Sequence, residues 1–101
     1  MTETLPKTEI ELTLKDLKGW SCENDRLVKT FRFGTFRDAI FFIGRLAFDA
    51  EELDHHPALH NIYDTVRVEL TTHDAESRVT HRDIALARRI EGVAQSMGHR
   101  S

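Results

Sequence analysis

The feature that most limits how this chain can fold is a strict alternation of apolar and polar residues over residues 65–71. Val66, Val68 and Leu70 are apolar, and the residues between and beside them are polar. Successive side chains of a β-strand point to opposite faces, so the pattern predicts a strand with one covered face and one polar face. Such a strand is typical of an antiparallel sheet that is packed on one side.

Three more segments have the composition of strands and are bounded by short polar turns: residues 20–23, 27–33 and 58–63. The first two flank a polar stretch at residues 24–26, and Asp64 separates the third from the alternating strand. This arrangement predicts two hairpins. In the second strand, the expected inner face carries four side chains: Leu27, Lys29, Phe31 and Phe33.

Helix starts are indicated by a Thr followed three residues later by an Asp, at Thr13/Asp16, Thr35/Asp38 and Thr80/Asp83. The Thr hydroxyl can accept a backbone N–H of the first turn, and the acid can reach back to the capping residue. These signals predict helices over about residues 14–18, 36–53 and 82–97, with Gly19 and Gly98 as C-terminal caps. The order of elements predicts an α+β domain, a four-stranded antiparallel sheet with three helices packed on one face.

Size and composition favour one small globular unit. With 101 residues and 40% hydrophobic residues, the chain suits a single domain, which we place at residues 9–101 after a disordered tail at residues 1–8. A net charge of −3 lacks the basic character of a nucleic-acid-binding protein. One cysteine, Cys22, permits no internal disulfide, residues 1–10 do not resemble a signal peptide, and the apolar run at residues 39–44 is too short to span a membrane. We expect a cytoplasmic protein.

The second predicted helix carries more apolar surface than one face requires. A broad stripe is expected to face the core, comprising Ala39, Ile40, Phe42, Ile43, Leu46, Ala47, Ala50 and Leu53. Phe41 and Phe48, seven residues apart, project from the far side. Two aromatic side chains stacked on one exposed face indicate a contact, either with the N-terminal segment or with another subunit.

Histidines mark the candidate chemistry, because five of the six lie between residues 55 and 81: His55, His56, His60, His73 and His81. Histidine exchanges protons near neutral pH, and several histidines in different environments can deliver one proton and remove another. His60 and His81 are more readily interpreted as surface residues, and Asp83 as a helix-capping residue. A histidine metal site is a weaker alternative, because the usual ligand spacings are missing. Residue types and spacing alone therefore indicate a histidine-rich α+β domain, with acid–base catalysis as one hypothesis.

A longer residue pattern, which runs from Glu51 to Asp83, indicates a more specific function. Residues 51–57 read Glu-Glu-Leu-Asp-His-His-Pro, and they are followed by Asn61-Ile62-Tyr63, by Thr71-Thr72-His73 and by Asp83. The pattern resembles the signature of the pterin-4a-carbinolamine dehydratase family, also known as the dimerization cofactor of a homeodomain transcription factor. Further similarity covers residues 17–20, 31–36 and 83–87, so the resemblance extends over about residues 12–97.

The resemblance implies dehydration of 4a-hydroxytetrahydrobiopterin to quinonoid dihydrobiopterin, in the recycling of the pterin used by aromatic amino acid hydroxylases. It also implies a homodimer or homotetramer, and we expect neither a cofactor nor a metal. Catalytic roles fall on His55, His56 and His73, and substrate contacts fall on Glu51, Asp54, Leu59, Thr71, Thr72 and Asp83. We expect His55 and His73 to transfer protons and His56 to position the pterin, since adjacent residues of an extended segment point in opposite directions.

Two departures from the family pattern bear on binding. Leu59 stands where the family usually has a Trp that borders the pterin, and residues 75–79 replace a Gly-rich turn that is one residue shorter. We expect weaker binding rather than lost chemistry at Leu59, and an altered rim or pterin preference from the longer turn. A non-enzymatic interaction protein, such as a coactivator or assembly factor, is the alternative on the same fold, because a fold does not set a function.

Overall fold

The computed structural model describes residues 4–73 and 78–97. In chain order the elements are α1 (Lys7–Leu14), β1 (Ser21–Glu23), β2 (Arg26–Arg32), α2 (Phe36–Glu52), β3 (Ala58–Ile62), β4 (Thr65–Leu70) and α3 (His81–Ser96). The four strands form one antiparallel sheet in the order β1-β2-β4-β3. The predicted α+β class, with three helices and a four-stranded sheet, is confirmed.

Both hairpins close through two-residue loops. Glu23 pairs with Arg26 across Asn24 and Asp25, whose φ angles are 51° and 60°. Asn and Asp tolerate this left-handed conformation better than other side chains, and it matches the twist of the flanking strands. Ile62 pairs with Thr65 across Tyr63 and Asp64, and Tyr63 has a φ of 50°. The predicted turns are therefore confirmed in place, but Arg26 belongs to β2 rather than to the first turn, and Tyr63 belongs to the second turn rather than to β3.

The core lies between the inner face of the sheet and the two long helices. From β4, Val66, Val68 and Leu70 are fully buried, as the alternation predicts. They pack in one cluster with apolar side chains of the other elements, including Leu27, Phe31, Phe42, Leu46, Leu86 and Ile90. Burying a side chain of this size contributes about 1.5–3 kcal/mol. The predicted inner face of β2 is confirmed, including the buried Lys29.

Helices α2 and α3 begin where the Thr signals place them. Thr35 Oγ1 accepts the Asp38 N–H at 3.0 Å, and Thr80 forms a complete capping box with Asp83. α2 ends at Glu52 with Leu53 as its cap, and α3 ends at Ser96 with Met97 as its cap. Gly98, the expected end of α3, lies outside the described residues.

The first predicted helix is wrong in position. α1 spans Lys7–Leu14 with Pro6 at its N-cap, so Thr13 lies near its end rather than before its start. Proline suits a helix start because its φ angle is already fixed near the helical value. Ile10 and Leu14, four residues apart on one side of the helix, pack against the core.

The segment before α1 is paired with the rest of the domain. Thr4 forms a β-bridge with Thr80, and the Leu5 N–H donates to the Val79 carbonyl at 3.2 Å. Lys7 and Thr8 are already helical, although the sequence suggests a tail over residues 1–8. Gly19, expected as a helix cap, lies in the turn after α1, with a φ of +86° and the Lys29 side chain packed against it.

The outer face of α2 is more apolar than the sequence indicates. Phe41 and Phe48 are 55% and 77% exposed, which confirms their predicted projection from the core. Ile40 and Ala47, expected in the core stripe, are also exposed. Among the described residues, no helix has the length and apolarity needed to cross a membrane.

Candidate active site

The site is built where the end of α2, the end of β4 and the start of α3 converge. After α2, Asp54 adopts a left-handed conformation with a φ of +49°. The Asp54 N–H donates to the Glu51 carbonyl, and the His55 N–H donates to the Ala50 carbonyl at 2.9 Å. This pair of bonds is a Schellman motif, which ends a helix and fixes the direction of the chain that leaves it. The backbone of His55 is therefore positioned by the end of α2.

His55 is buried against the first turn of α3. Its ring is 6% exposed, and Nε2 lies 2.5 Å from Oδ1 of the fully buried Asp83. The two residues are 28 positions apart, so only the packing of α2 on α3 brings them together. A carboxylate in this place fixes the orientation of the imidazole through its contact with Nε2.

Asp83 has a second set of partners on its other oxygen. Oδ2 accepts the Thr80 N–H at 2.9 Å and the Thr72 hydroxyl at 2.8 Å, and the hydroxyls of Thr72 and Thr80 lie 2.6 Å apart. The sequence presents helix capping and a role in the site as competing interpretations of Asp83. The structure shows that one carboxyl oxygen caps α3 and the other contacts His55.

His56 occupies a contrasting environment next to His55. Its Nε2 lies 2.7 Å from Glu51 Oε1, and the side chains of this pair are 58% and 76% exposed. A solvent-exposed pair of this kind contributes little to stability. Its effect is to hold Glu51, from the last turn of α2, beside the imidazole at the rim of the site.

A surface cavity collects most of the predicted residues. Its lining comprises Asp54, His55, His56, Thr71, Thr72, His73 and Arg82. Glu51 joins this group through His56, and Asp83 lies behind it through His55. Leu59 does not line this cavity. It pairs with Val68 in the sheet and packs, half-buried, against the core, because its position in β3 faces inward.

Arg82 also lines the cavity, although no feature singled out in the sequence predicts it. Its Nη2 donates to the Asp54 carbonyl at 2.5 Å and so ties the start of α3 to the turn that carries His55 and His56. One sequence signal could have identified it. A cation in the first turn of a helix opposes the helix dipole, so Arg82 between Thr80 and Asp83 suggests a role other than helix stability.

His60 and His81 are exposed, as expected of surface residues. Over residues 4–73 and 78–97, no three His, Cys, Asp or Glu side chains are arranged to hold a metal ion. The cavity therefore presents imidazoles, carboxyl groups, hydroxyls and one guanidinium, which can bind a polar ligand and exchange protons with it.

Comparison with known proteins identifies the family. The family model described as Pterin 4 alpha carbinolamine dehydratase matches residues 3–93. The chain belongs to this family. A relative from Opitutus terrae, provisionally named a pterin-4-alpha-carbinolamine dehydratase, is 50% identical over 94 residues, which cover 93% of this chain and 97% of the relative. A Sulfolobus acidocaldarius protein with the same provisional name is 40% identical over 88% of this chain and 97% of its own length.

Solved structures agree with the family assignment. A transcriptional coactivator/pterin dehydratase from Brucella melitensis superposes with a TM-score of 0.86 at 36% identity, covering 91% of this chain and 99% of that one. A pterin dehydratase-like protein identified as a RuBisCO assembly factor in the alpha-carboxysome gives a TM-score of 0.62 at 24% identity, over 74% of this chain and 86% of that one. At that identity the second likeness shows the shared fold alone.

Proposed function

We propose that the chain catalyses the dehydration of 4a-hydroxytetrahydrobiopterin to quinonoid dihydrobiopterin, as part of tetrahydrobiopterin recycling. The observation that carries the proposal is that three histidines of the family pattern line one cavity in two contrasting settings. His55 is buried on Asp83, whereas His56 and His73 are exposed. Groups in different environments can divide the acid and base roles of an elimination between them.

The reaction requires two proton movements and no change of oxidation state in the protein. The bond between the ring carbon and its hydroxyl breaks, and the hydroxyl leaves as water after it gains a proton. The neighbouring ring nitrogen loses its proton, and its electron pair forms the new carbon–nitrogen double bond. The protein must therefore supply a general acid near the hydroxyl and a general base near the nitrogen.

The contacts of the three histidines support a division of labour. Nε2 of His55 contacts Asp83 Oδ1. The other ring nitrogen, Nδ1, is therefore the one that can exchange a proton with a ligand. His73 follows β4 and lines the same cavity from a different element, which suits the complementary proton transfer. His56, held by Glu51 at the rim, positions the pterin together with Asp54 and Thr71.

An assay with freshly generated 4a-hydroxytetrahydropterin tests the proposal. Purified protein, shown to be folded by circular dichroism, should accelerate loss of the 4a-hydroxy compound over the buffer rate. We also propose that no metal takes part, so activity should survive chelation, with elemental analysis as the control. Folded protein that leaves the buffer rate unchanged would exclude the enzyme and favour the interaction-protein alternative.

We further propose that a second copy of the chain covers the outer face of α2, defined by Ile40, Phe41, Gly44, Ala47 and Phe48. Gly44 and Ala47 lie between the two phenylalanines along this face, and a Cβ added at Gly44 would meet no atom within 4 Å, so a partner side chain has room there. A face that carries bulky apolar side chains with open space between them can pair with itself about a two-fold axis. Sedimentation should show a dimer or tetramer at micromolar concentration, and Phe48→Asp should reduce the assembly. A monomeric wild-type protein would contradict this.

A further inference from the structure

We infer that the hydroxyls of Thr72 and Thr80 set the tautomer of His55, acting through Asp83, so that Thr72 is a positioning residue. The catalytic consequence of this inference rests on the proposed dehydratase function, but the tautomer itself can be measured without substrate. The resemblance implies a substrate contact for Thr72, yet the residue is 1% exposed and its hydroxyl lies 2.8 Å from Asp83 Oδ2.

Thr72 is buried because of its register at the end of β4. Its N–H donates to the Arg78 carbonyl at 3.0 Å, and the two residues form a β-bridge. The segment is extended at Thr72, which bridges to Arg78, and it turns at His73, which begins a 3₁₀ turn. Thr71 is half-buried and His73 exposed, whereas Thr72 is 1% exposed. One short segment therefore supplies a histidine to the cavity and a hydroxyl to the group behind it.

The hydroxyls of Thr72 and Thr80 each have one proton to donate, and their contacts determine which hydroxyl donates to which acceptor. The Thr80 hydroxyl accepts the Arg82 N–H at 3.2 Å and lies 2.6 Å from the Thr72 hydroxyl, which lies 2.8 Å from Asp83 Oδ2. If Thr72 donates to Asp83, then Thr80 donates to Thr72, and every proton has an acceptor. In the opposite direction, the fully buried Thr80 proton would have no acceptor among the described residues. Buried donors without acceptors are costly and rare, so the chain runs from Thr80 through Thr72 to Asp83.

This direction determines how Asp83 meets His55. Oδ2 accepts both the Thr72 hydroxyl and the Thr80 N–H, and it lies at the positive end of the α3 dipole. Asp83 therefore acts as an acceptor at both oxygens, and the proton in its contact with His55 belongs to His55 Nε2. Nδ1 then remains as the ring nitrogen that gains or loses a proton.

The test compares Thr72→Val, which keeps the side-chain shape but removes the donor, with Thr72→Ser, which keeps the donor. Nitrogen-15 NMR of the His55 ring, assigned with a His55→Gln variant, reports the tautomer directly. Thr65→Val is the matched control, because the Thr65 hydroxyl donates to the Ile62 carbonyl at the other end of β4. Near neutral pH, the wild-type protein and the control should show Nε2 protonated and Nδ1 unprotonated in the neutral ring. Thr72→Val should show a mixture of tautomers, and Thr72→Ser should restore the single form.

The kinetic readout separates positioning from binding. Thr72→Val should lower kcat by about tenfold and change KM by less than about threefold, as expected when proton transfer rather than ground-state binding is impaired. A folded Thr72→Val protein that keeps the wild-type tautomer would overturn the inference. If that variant does not fold, Nδ1–H in the neutral wild-type ring would overturn it equally, and Nε2–H would support it. A tautomer shift in a protein without dehydratase activity would leave the inference standing and remove only the proposed function.

Discussion

Helix α3 carries two acidic side chains, Asp83 and Glu91, and each forms hydrogen bonds with residues from distant parts of the chain. Only the cluster around Asp83 adjoins the candidate site. Asp83 holds His55 in the first turn. Two turns later, Glu91 Oε1 accepts the Lys29 ammonium at 2.5 Å and the Trp20 indole N–H at 2.8 Å. Both clusters are well hydrogen-bonded, so burial and close contacts do not by themselves distinguish a site from a structural contact.

The difference lies in what each partner can still do once it is bound. The Lys29 side chain is 3% exposed, donates to the Lys18 carbonyl as well as to Glu91, and lies 4.6 Å from the Phe31 ring centre. It is a point charge surrounded by acceptors and an aromatic ring. The imidazole of His55 has a second nitrogen and lines a cavity with two more histidines. A buried group is a candidate for catalysis when a titrating atom remains beside a ligand-sized space.

Removing Lys29 tests whether the Glu91 cluster is purely structural, and it should cause the largest loss of stability. Lys29→Met removes the cationic partner of Glu91, whose carboxylate is largely buried. This should lower the free energy of unfolding by about 3 kcal/mol. For a domain of this size, the melting temperature should fall by on the order of 10 °C or more. Calorimetry measures the loss, and kcat of the folded variant at low temperature should match the wild type.

Arg26→Met is the control for Lys29→Met, because it removes an exposed ion pair from the same strand. Arg26 Nη1 lies 2.9 Å from Glu69 Oε1, and its side chain is 47% exposed. We expect a loss below about 1 kcal/mol. Equal destabilisation by the two substitutions would contradict the structural assignment of the Glu91 cluster, as would a collapse of kcat in folded Lys29→Met.

The functional half of the comparison is tested at His55 and His73. Each change to Ala should lower kcat by at least about tenfold, since positioned acid–base groups contribute about a hundredfold to ten-thousandfold. Steady-state kinetics measures this, with circular dichroism as the check on folding. Normal turnover in both variants would remove the catalytic assignment of the cavity.

His56 sharpens the comparison within the site itself. Because it is exposed and paired with Glu51 at the rim, His56→Ala should raise KM more than it lowers kcat. His81→Ala is a suitable control, since this exposed histidine does not line the cavity. A variant with unchanged KM and a collapsed kcat would reverse the roles of His55 and His56.

The smallest effect is expected on the sheet, at Glu69. Hydrogen bonds from Arg67 and Arg26 lower the pKa of this carboxyl. A lowered folded pKa means that the contacts stabilise the protein above the ordinary value for glutamate, and that this stabilisation is lost as pH falls through the folded value. Glu69→Gln should lower the melting temperature by a few degrees at most at pH 7, as for an exposed ion pair. The difference should vanish in acid, and a difference that grows there would contradict the sign.

The sequence by itself predicted much of the fold, because local patterns carry the relevant physics. Alternation located β4, polar residues located both hairpin turns, and Thr caps located α2 and α3 to within a residue or so. It failed at α1, where the Thr13 signal is local but Ile10 and Leu14 pack on a core assembled from distant segments. Most of the residues that line the cavity also belong to the family pattern recognised in the sequence.

Only the tertiary structure decided which residues work together. Spacing cannot show that Asp83 caps α3 with one oxygen and holds His55 with the other, because the contact spans 28 positions and depends on how α2 packs on α3. Nor can it show that Thr72 faces inward, that Leu59 packs on the core, or that Arg82 reaches the Asp54 carbonyl. Local propensity is set by neighbours in the chain, whereas the environment of a titrating side chain is set by whatever the fold places against it.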